Sequence, residues 1–157
     1  MDLGESQAAR AGPSIKGRAL RLLAMREHTR PELEKKLARL DPDPDELRQA
    51  LDDLQAKGFI SEARVVESVL HSRASRLGAR RVRQELLAKG VSDAALAQAM
   101  DRLRATELDR ARHVWQKKFG QVATEPKERA RQARFLLARG FGSEVVRRVT
   151  QSGDDTS

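Results

Sequence analysis

A repeated stretch constrains this chain more than any other feature. When Gly90 is placed on Gly140, Leu86, Ala88 and Lys89 fall on Leu136, Ala138 and Arg139, and Leu96 and Ala99 fall on Val146 and Val149, with no gap. A shift of 49 residues towards the N-terminus places Leu33, Leu37, Leu47, Leu51 and Leu54 on Val82, Leu86, Leu96, Met100 and Leu103. The chain reads as three divergent copies of one unit. A fixed period near 50 residues is the signature of stacked helical repeats, because each unit buries one face against its neighbour.

Composition agrees with helices. Charged residues make up 34% of the 157 positions and aromatics 3%, with Ala, Leu and Arg abundant, which favours helix over sheet. The expected fold is all-α, with three tandem three-helix repeats of about 49–50 residues forming an elongated, curved molecule. Residues 1–14 are expected to be a disordered tail, 15–58, 59–105 and 106–151 the repeats, and 152–157 a second disordered tail. With no cysteine there is neither a disulfide framework nor a thiolate metal site. No apolar run approaches the about 20 residues needed to span a bilayer, and the N-terminal MDLGESQAARAGPS lacks the regions of a signal peptide, so the expected location is cytoplasmic.

Helix punctuation supports nine helices, three per repeat. Thr29 and Glu32 have capping-box spacing around Pro31, and the acidic link before Leu47 loads the next N-terminus with carboxylates. Helix ends are expected at Gly58, Gly90, Gly120 and Gly140. Ser61, Ser92 and Ser143 are expected caps, and Thr124 with Pro126 is expected to open the eighth helix. Trp115, Phe119, Phe135 and Phe141 cluster in the last repeat and are expected in its core.

No catalytic constellation appears. His28, His71 and His113 lie in different repeats, without the i, i+4 partner that helical zinc sites use, and no phosphate loop or nucleophile elbow is present. Asp41, Asp43 and Asp45 lack calcium-loop spacing. The expectation is a binding protein with no enzymatic activity, cofactor or metal. Charge points to an acidic partner: residues 73–148 hold 19 Arg or Lys against 8 Asp or Glu, a net of +11, while the whole chain carries +8. The candidate interface is Arg73, Arg76, Arg80, Arg81, Arg83 and Lys89 in the middle repeat, with Arg131, Arg134, Arg139, Arg147 and Arg148 in the last. The charges of the middle repeat are expected to point outward, as Val82 and Leu86 turn in; the competing reading is a solvated face with some pairing to Glu85.

A winged-helix regulator is an alternative, because TRPELEKKL and LRQALDDLQAKGFI resemble its helices. After Ile60, however, SEARVVESVLHSRAS has helical spacing and no hairpin turn. A wingless helix-turn-helix dimer that uses Arg80, Arg81 and Arg83 on DNA stays open.

LRLLAMREHTRPELEKKL, LQAKGFISEARVVESVLHSR, GARRVRQELLAKGV and ARFLLARGFGSEVVRRV resemble, in order, the motifs of the RecX family over about residues 16–150. The resemblance implies tandem three-helix repeats and a regulator of the RecA recombinase. Such a regulator binds RecA and its nucleoprotein filament along the groove and restrains strand exchange, ATP hydrolysis and coprotease activity. It is expected to act as a monomer, with weak DNA binding allowed and no membrane partner. Three positions depart from the family pattern. Glu62 and Arg64 keep an acidic-x-Arg signature whose Phe and Ala are Val65 and Val66 here, and Gln132 occupies the place matched by Val82.

Overall fold

The computed structural model describes residues 13–152. Of the expected tails at 1–14 and 152–157, residues 1–12 and 153–157 lie outside the described residues. Eight helices and no strand are present among the described residues: α1 (Ile15–Met25), α2 (Arg30–Ala38), α3 (Pro44–Ala56), α4 (Glu62–Arg73), α5 (Ala79–Ala88), α6 (Asp93–Lys118), α7 (Pro126–Ala138) and α8 (Ser143–Ser152). They form three three-helix repeats within two compact units, which divide between Val65 and Val66.

Among the described residues the helices number eight rather than nine because the last helix of the second repeat runs without a break into the first helix of the third. α6 has 26 residues without Gly or Pro, rich in Ala, Leu and Arg, so nothing local stops it. At about 1.5 Å per residue it extends about 39 Å. Its first half carries buried Leu96, Ala99, Met100 and Leu103, and its second half carries Ala111, Val114 and Trp115.

In the first unit, Ser14 accepts from the Gly17 N–H and caps α1, so this residue belongs to the helix start and not to a tail. The capping box forms: Glu32 N–H donates to Thr29 Oγ1, and Thr29 N–H donates to Glu32 Oε1. Asp43 caps α3, with Pro44 at its first turn. Ala19, Leu33, Leu37, Leu51, Leu54 and Ile60 make the core. His28 is buried beside it. Its Nδ1–H donates to the Arg26 carbonyl at 3.0 Å and its Nε2 accepts from Lys36 Nζ at 2.9 Å, because a carbonyl can only accept and an ammonium can only donate. Burial, aided by the Arg26 and Lys36 charges, holds its pKa below the ordinary value, consistent with a neutral structural imidazole.

Ser61 opens α4 by accepting from Arg64 N–H, and Arg64 in turn donates to the Gly58 carbonyl at 2.6 Å and to Glu27 at 2.9 Å. The arginine of the acidic-x-Arg signature thus ties the end of α3 to the turn before α2. Val65 and Val66, which depart from that signature, are both buried.

In the second unit, the repeat register predicted from sequence places equivalent residues inside: Val82, Leu86, Leu103, Leu136 and Val149 are at most 2% exposed. Gln132 shares this interior at 3%. It is satisfied there, since Trp115 Nε1–H donates to its Oε1 at 2.9 Å and its amide donates to the Gln121 carbonyl at 3.2 Å. Thr150, also buried, donates back to the Val146 carbonyl. Trp115 and Phe141 are buried as expected, while Phe119 and Phe135 meet edge-to-face at 5.4 Å on the margin of the core. Ser92 caps α6, whereas α7 begins from Glu125 rather than Thr124 and has no side-chain cap. The Gly142 carbonyl, not Ser143, accepts the first bond of α8, from Val146 N–H.

Candidate functional site

The cationic residues read from the sequence separate into three groups in the second unit. Arg83 and Arg134 are exposed and make no hydrogen bond or ion pair among the described residues. A second group is tied up locally. Arg73 pairs with Glu85 at 3.4 Å, Arg131 with Glu128 at 2.9 Å and Arg147 with Glu144 at 3.0 Å, while Arg76 donates to the Ser72 carbonyl at 3.2 Å. The Arg131 guanidinium holds the Glu128 carboxyl below its ordinary pKa. Arg131 also lies over the Phe119 ring, and Arg139 stacks 4.8 Å from the Phe135 centroid. Lys89 is half-buried at the end of α5, and Arg148 is exposed on α8.

Arg80 and Arg81 form the third group: both are exposed, and each also bonds back onto the protein. Arg80 donates to the Leu137 carbonyl at 3.3 Å and Arg81 to the Ala138 carbonyl at 2.8 Å. These are the last carbonyls of α7, at the negative end of its dipole; the Leu137 carbonyl also accepts from Gly140 N–H at 3.0 Å, so Arg80 adds a second donor there. Two arginines of one repeat therefore cap a helix of the next.

The cap belongs to a larger joint built on two glycines. Gly78 N–H donates to the Arg139 carbonyl at 2.8 Å and Arg80 N–H to the Gly140 carbonyl at 3.2 Å. A Cβ on Gly78 would lie 2.3 Å from both the Gly140 carbonyl carbon and the Phe141 nitrogen. Gly140 has φ +92°, and a Cβ there would lie 2.7 Å from the Arg81 nitrogen. The two backbones approach this closely because both residues lack a side chain.

α6 completes the joint with two residues that sequence reasoning missed. Glu107 Oε1 accepts from Ala79 N–H and from Gly142 N–H, each at 3.3 Å, so one carboxylate serves the starts of both α5 and α8. Arg110, one turn on, donates to the carbonyls of Ala74, Leu77 and Leu103 at 2.8, 2.6 and 2.8 Å. Burial pulls its pKa below the ordinary value, opposed by the charge of Glu107. The signal available in the sequence was indirect: α5 follows a glycine that offers no side-chain cap, so its N–H groups require an acceptor from elsewhere.

This geometry predicts different outcomes for residues that look alike in sequence. Reversing Arg80 and Arg81 together to Glu places negative charge on a helix C-terminus and removes two guanidinium bonds. The expected loss is about 2 kcal/mol of stability. Arg83→Glu is expected to stay within about 0.5 kcal/mol of wild type. Urea unfolding followed by Trp115 fluorescence checks both; equal stability of the two variants would refute the capping role. Arg83 is consequently the cleaner probe of any partner surface.

Among the described residues, no group of His, Asp or Glu is placed to hold a metal ion, and no helix is long and apolar enough to cross a membrane. What the residues build is a basic pair of repeats. Residues 16–54, 61–100 and 105–150 match the family models described as the first, second and third three-helix domains of RecX. The regulatory protein RecX of Leptothrix cholodnii is 55% identical over 141 residues, 90% of each chain. The regulatory protein RecX of Ralstonia nicotianae is 44% identical over 141 residues, 90% of this chain and 89% of its own. The crystal structure of RecX from Lactobacillus salivarius has a TM-score of 0.74 at 19% identity, covering 89% of this chain and 94% of that one, a likeness of fold. Matches to all three domains in order, together with the identity to these relatives over nine-tenths of the sequence, place the chain in the RecX family.

Proposed function

We propose that this protein regulates the RecA recombinase by binding RecA and its filaments on single-stranded DNA, restraining ATP hydrolysis, strand exchange and coprotease activity. The observation that carries the reading is membership of a family of regulatory proteins along all three repeats. The net charge of +11 over residues 73–148 supports an acidic counterpart, because an extended basic surface raises encounter rates with a polyanionic assembly. Each repeat offers its own exposed face, and weak contacts from three linked repeats combine through effective concentration without any chemistry.

Titration into a RecA and single-stranded DNA ATPase assay tests the proposal. Suppression is expected at well below one protein per RecA subunit. If suppression instead requires enough protein to coat all the DNA, and bare DNA binds as tightly as filament, the activity is DNA competition and the regulator reading fails.

A further inference from the structure

A cavity of about 480 Å³ opens in the second unit. Its walls come from Ser75 and Arg76 after α4, from His113, Lys117 and Lys118 on α6, and from Arg139 after α7; Val114 and Phe135 supply apolar surface. Four permanent cations thus converge with no carboxylate among the lining residues. None of Arg76, Lys117, Lys118 and Arg139 makes an ion pair among the described residues. This contrasts with Arg73, Arg102, Arg131 and Arg147 of the same unit, each paired to a carboxylate.

The arrangement is already ordered. Arg139 and Lys118 lie 4.8 and 5.4 Å from the Phe135 centroid, so the aromatic ring holds two of the cations in place without neutralising them. Arg76 is fixed by its bond to the Ser72 carbonyl. Holding like charges together costs free energy that an arriving anion recovers. The volume lies in the range of about 300–1,000 Å³ typical of small-ligand sites.

We propose that this cavity binds the phosphates of a nucleotide, with Arg76, Lys117, Lys118 and Arg139 on the phosphate oxygens and Val114 and Phe135 against the sugar or base. A compact polyanion fits better than an acidic peptide segment. Carboxylates on an extended peptide are separated by about 3.3–3.6 Å of backbone per residue, whereas successive phosphates bring several charges into one cavity. The apolar wall suits a nucleoside and gives nothing to bare inorganic phosphate. A free nucleotide and a nucleotide unit of a single strand share this chemistry.

The test measures binding to the full chain without RecA, so its failure leaves the regulator proposal standing. Anisotropy with fluorescein-labelled ATP and with a labelled oligothymidylate, at low and moderate salt, is compared for wild type, Lys117→Ala/Lys118→Ala and Arg76→Ala. A distant control is Lys127→Ala, at the start of α7. Saturable binding is expected, weakened about tenfold in the double variant with a salt slope shallower by about one per lost cation, and unchanged in the control. Melting curves verify that each variant is folded; Arg76→Ala, which alters no α6 residue, provides the independent reading should the double variant unfold. Tighter binding of ATP identifies a free nucleotide, and tighter binding of the oligonucleotide identifies a strand. The proposal is overturned if neither probe saturates, if the folded variants bind like wild type, or if an acidic peptide displaces both probes as well as inorganic triphosphate does.

Discussion

Gly78→Ala is expected to lower the stability of the second unit by about 3 kcal/mol or more, the upper part of the range for overpacking a well-fitted interior. The added methyl would meet the Gly140 carbonyl carbon and the Phe141 nitrogen at 2.3 Å. Both are backbone atoms, held by the bonds from Gly78 N–H to the Arg139 carbonyl and from Arg80 N–H to the Gly140 carbonyl, so no side chain can swing aside. Relief requires separating α5 from the end of α7, which also strips the α7 carbonyls of Arg80 and Arg81. Gly142→Ala is the matched control. A Cβ there meets nothing within 4 Å, and the N–H that bonds Glu107 is kept. Trp115, the chain's single tryptophan, reports the second unit directly in urea unfolding. A Gly78→Ala loss below about 1 kcal/mol would mean that the two backbones are not held at this distance.

Arg110→Ala is expected to cost about 3 kcal/mol, measured by the same unfolding curve with an unchanged slope on urea. Three carbonyls from the α4–α5 connection and from α6 converge on this guanidinium, and its half-buried position admits little water to replace it. Arg110→Lys is expected to recover less than half of the loss, because a single ammonium cannot reproduce the planar fork that reaches all three oxygens. Full recovery by lysine would assign the residue a general charge effect in place of the directed bonds.

The repeat is legible in the sequence because periodic burial leaves periodic residues. Leu33 and Val82 fall into register by period alone, as do Leu37, Leu86 and Leu136, and all five are buried. Capping at Thr29, Ser61 and Ser92 is equally legible, since those partners lie within three residues. The joint is not. Arg80 and Arg81 reach acceptors 57 positions away, and the acceptors are carbonyls, which every residue carries and no sequence pattern marks. Spacing alone places both arginines on an outer face, which is true of their exposure and silent about their bonds. Gln132 is visible as an anomaly in an apolar register, but its solution depends on the Trp115 indole and the Gln121 carbonyl arriving together. The junction at Ala105 and Thr106 shows the complementary failure: repeat logic expects a break there, whereas local propensity continues the helix.

The unbroken α6 also limits how genes of this kind can change in length. Loops absorb inserted and deleted codons, but each residue of a helix sets a rotation of about 100° as well as a rise of about 1.5 Å. Deleting one codon between Leu103 and Glu107 would turn Glu107 and Arg110 by that angle relative to Leu96 and Met100, away from the N–H groups and carbonyls they serve. Compensation would need about seven residues, close to two full turns, to bring the two halves back into phase. Repeats 2 and 3 are therefore expected to tolerate length change only as one block, whereas the connections at 39–43 and 119–125, where the chain leaves its helices, are expected to absorb it.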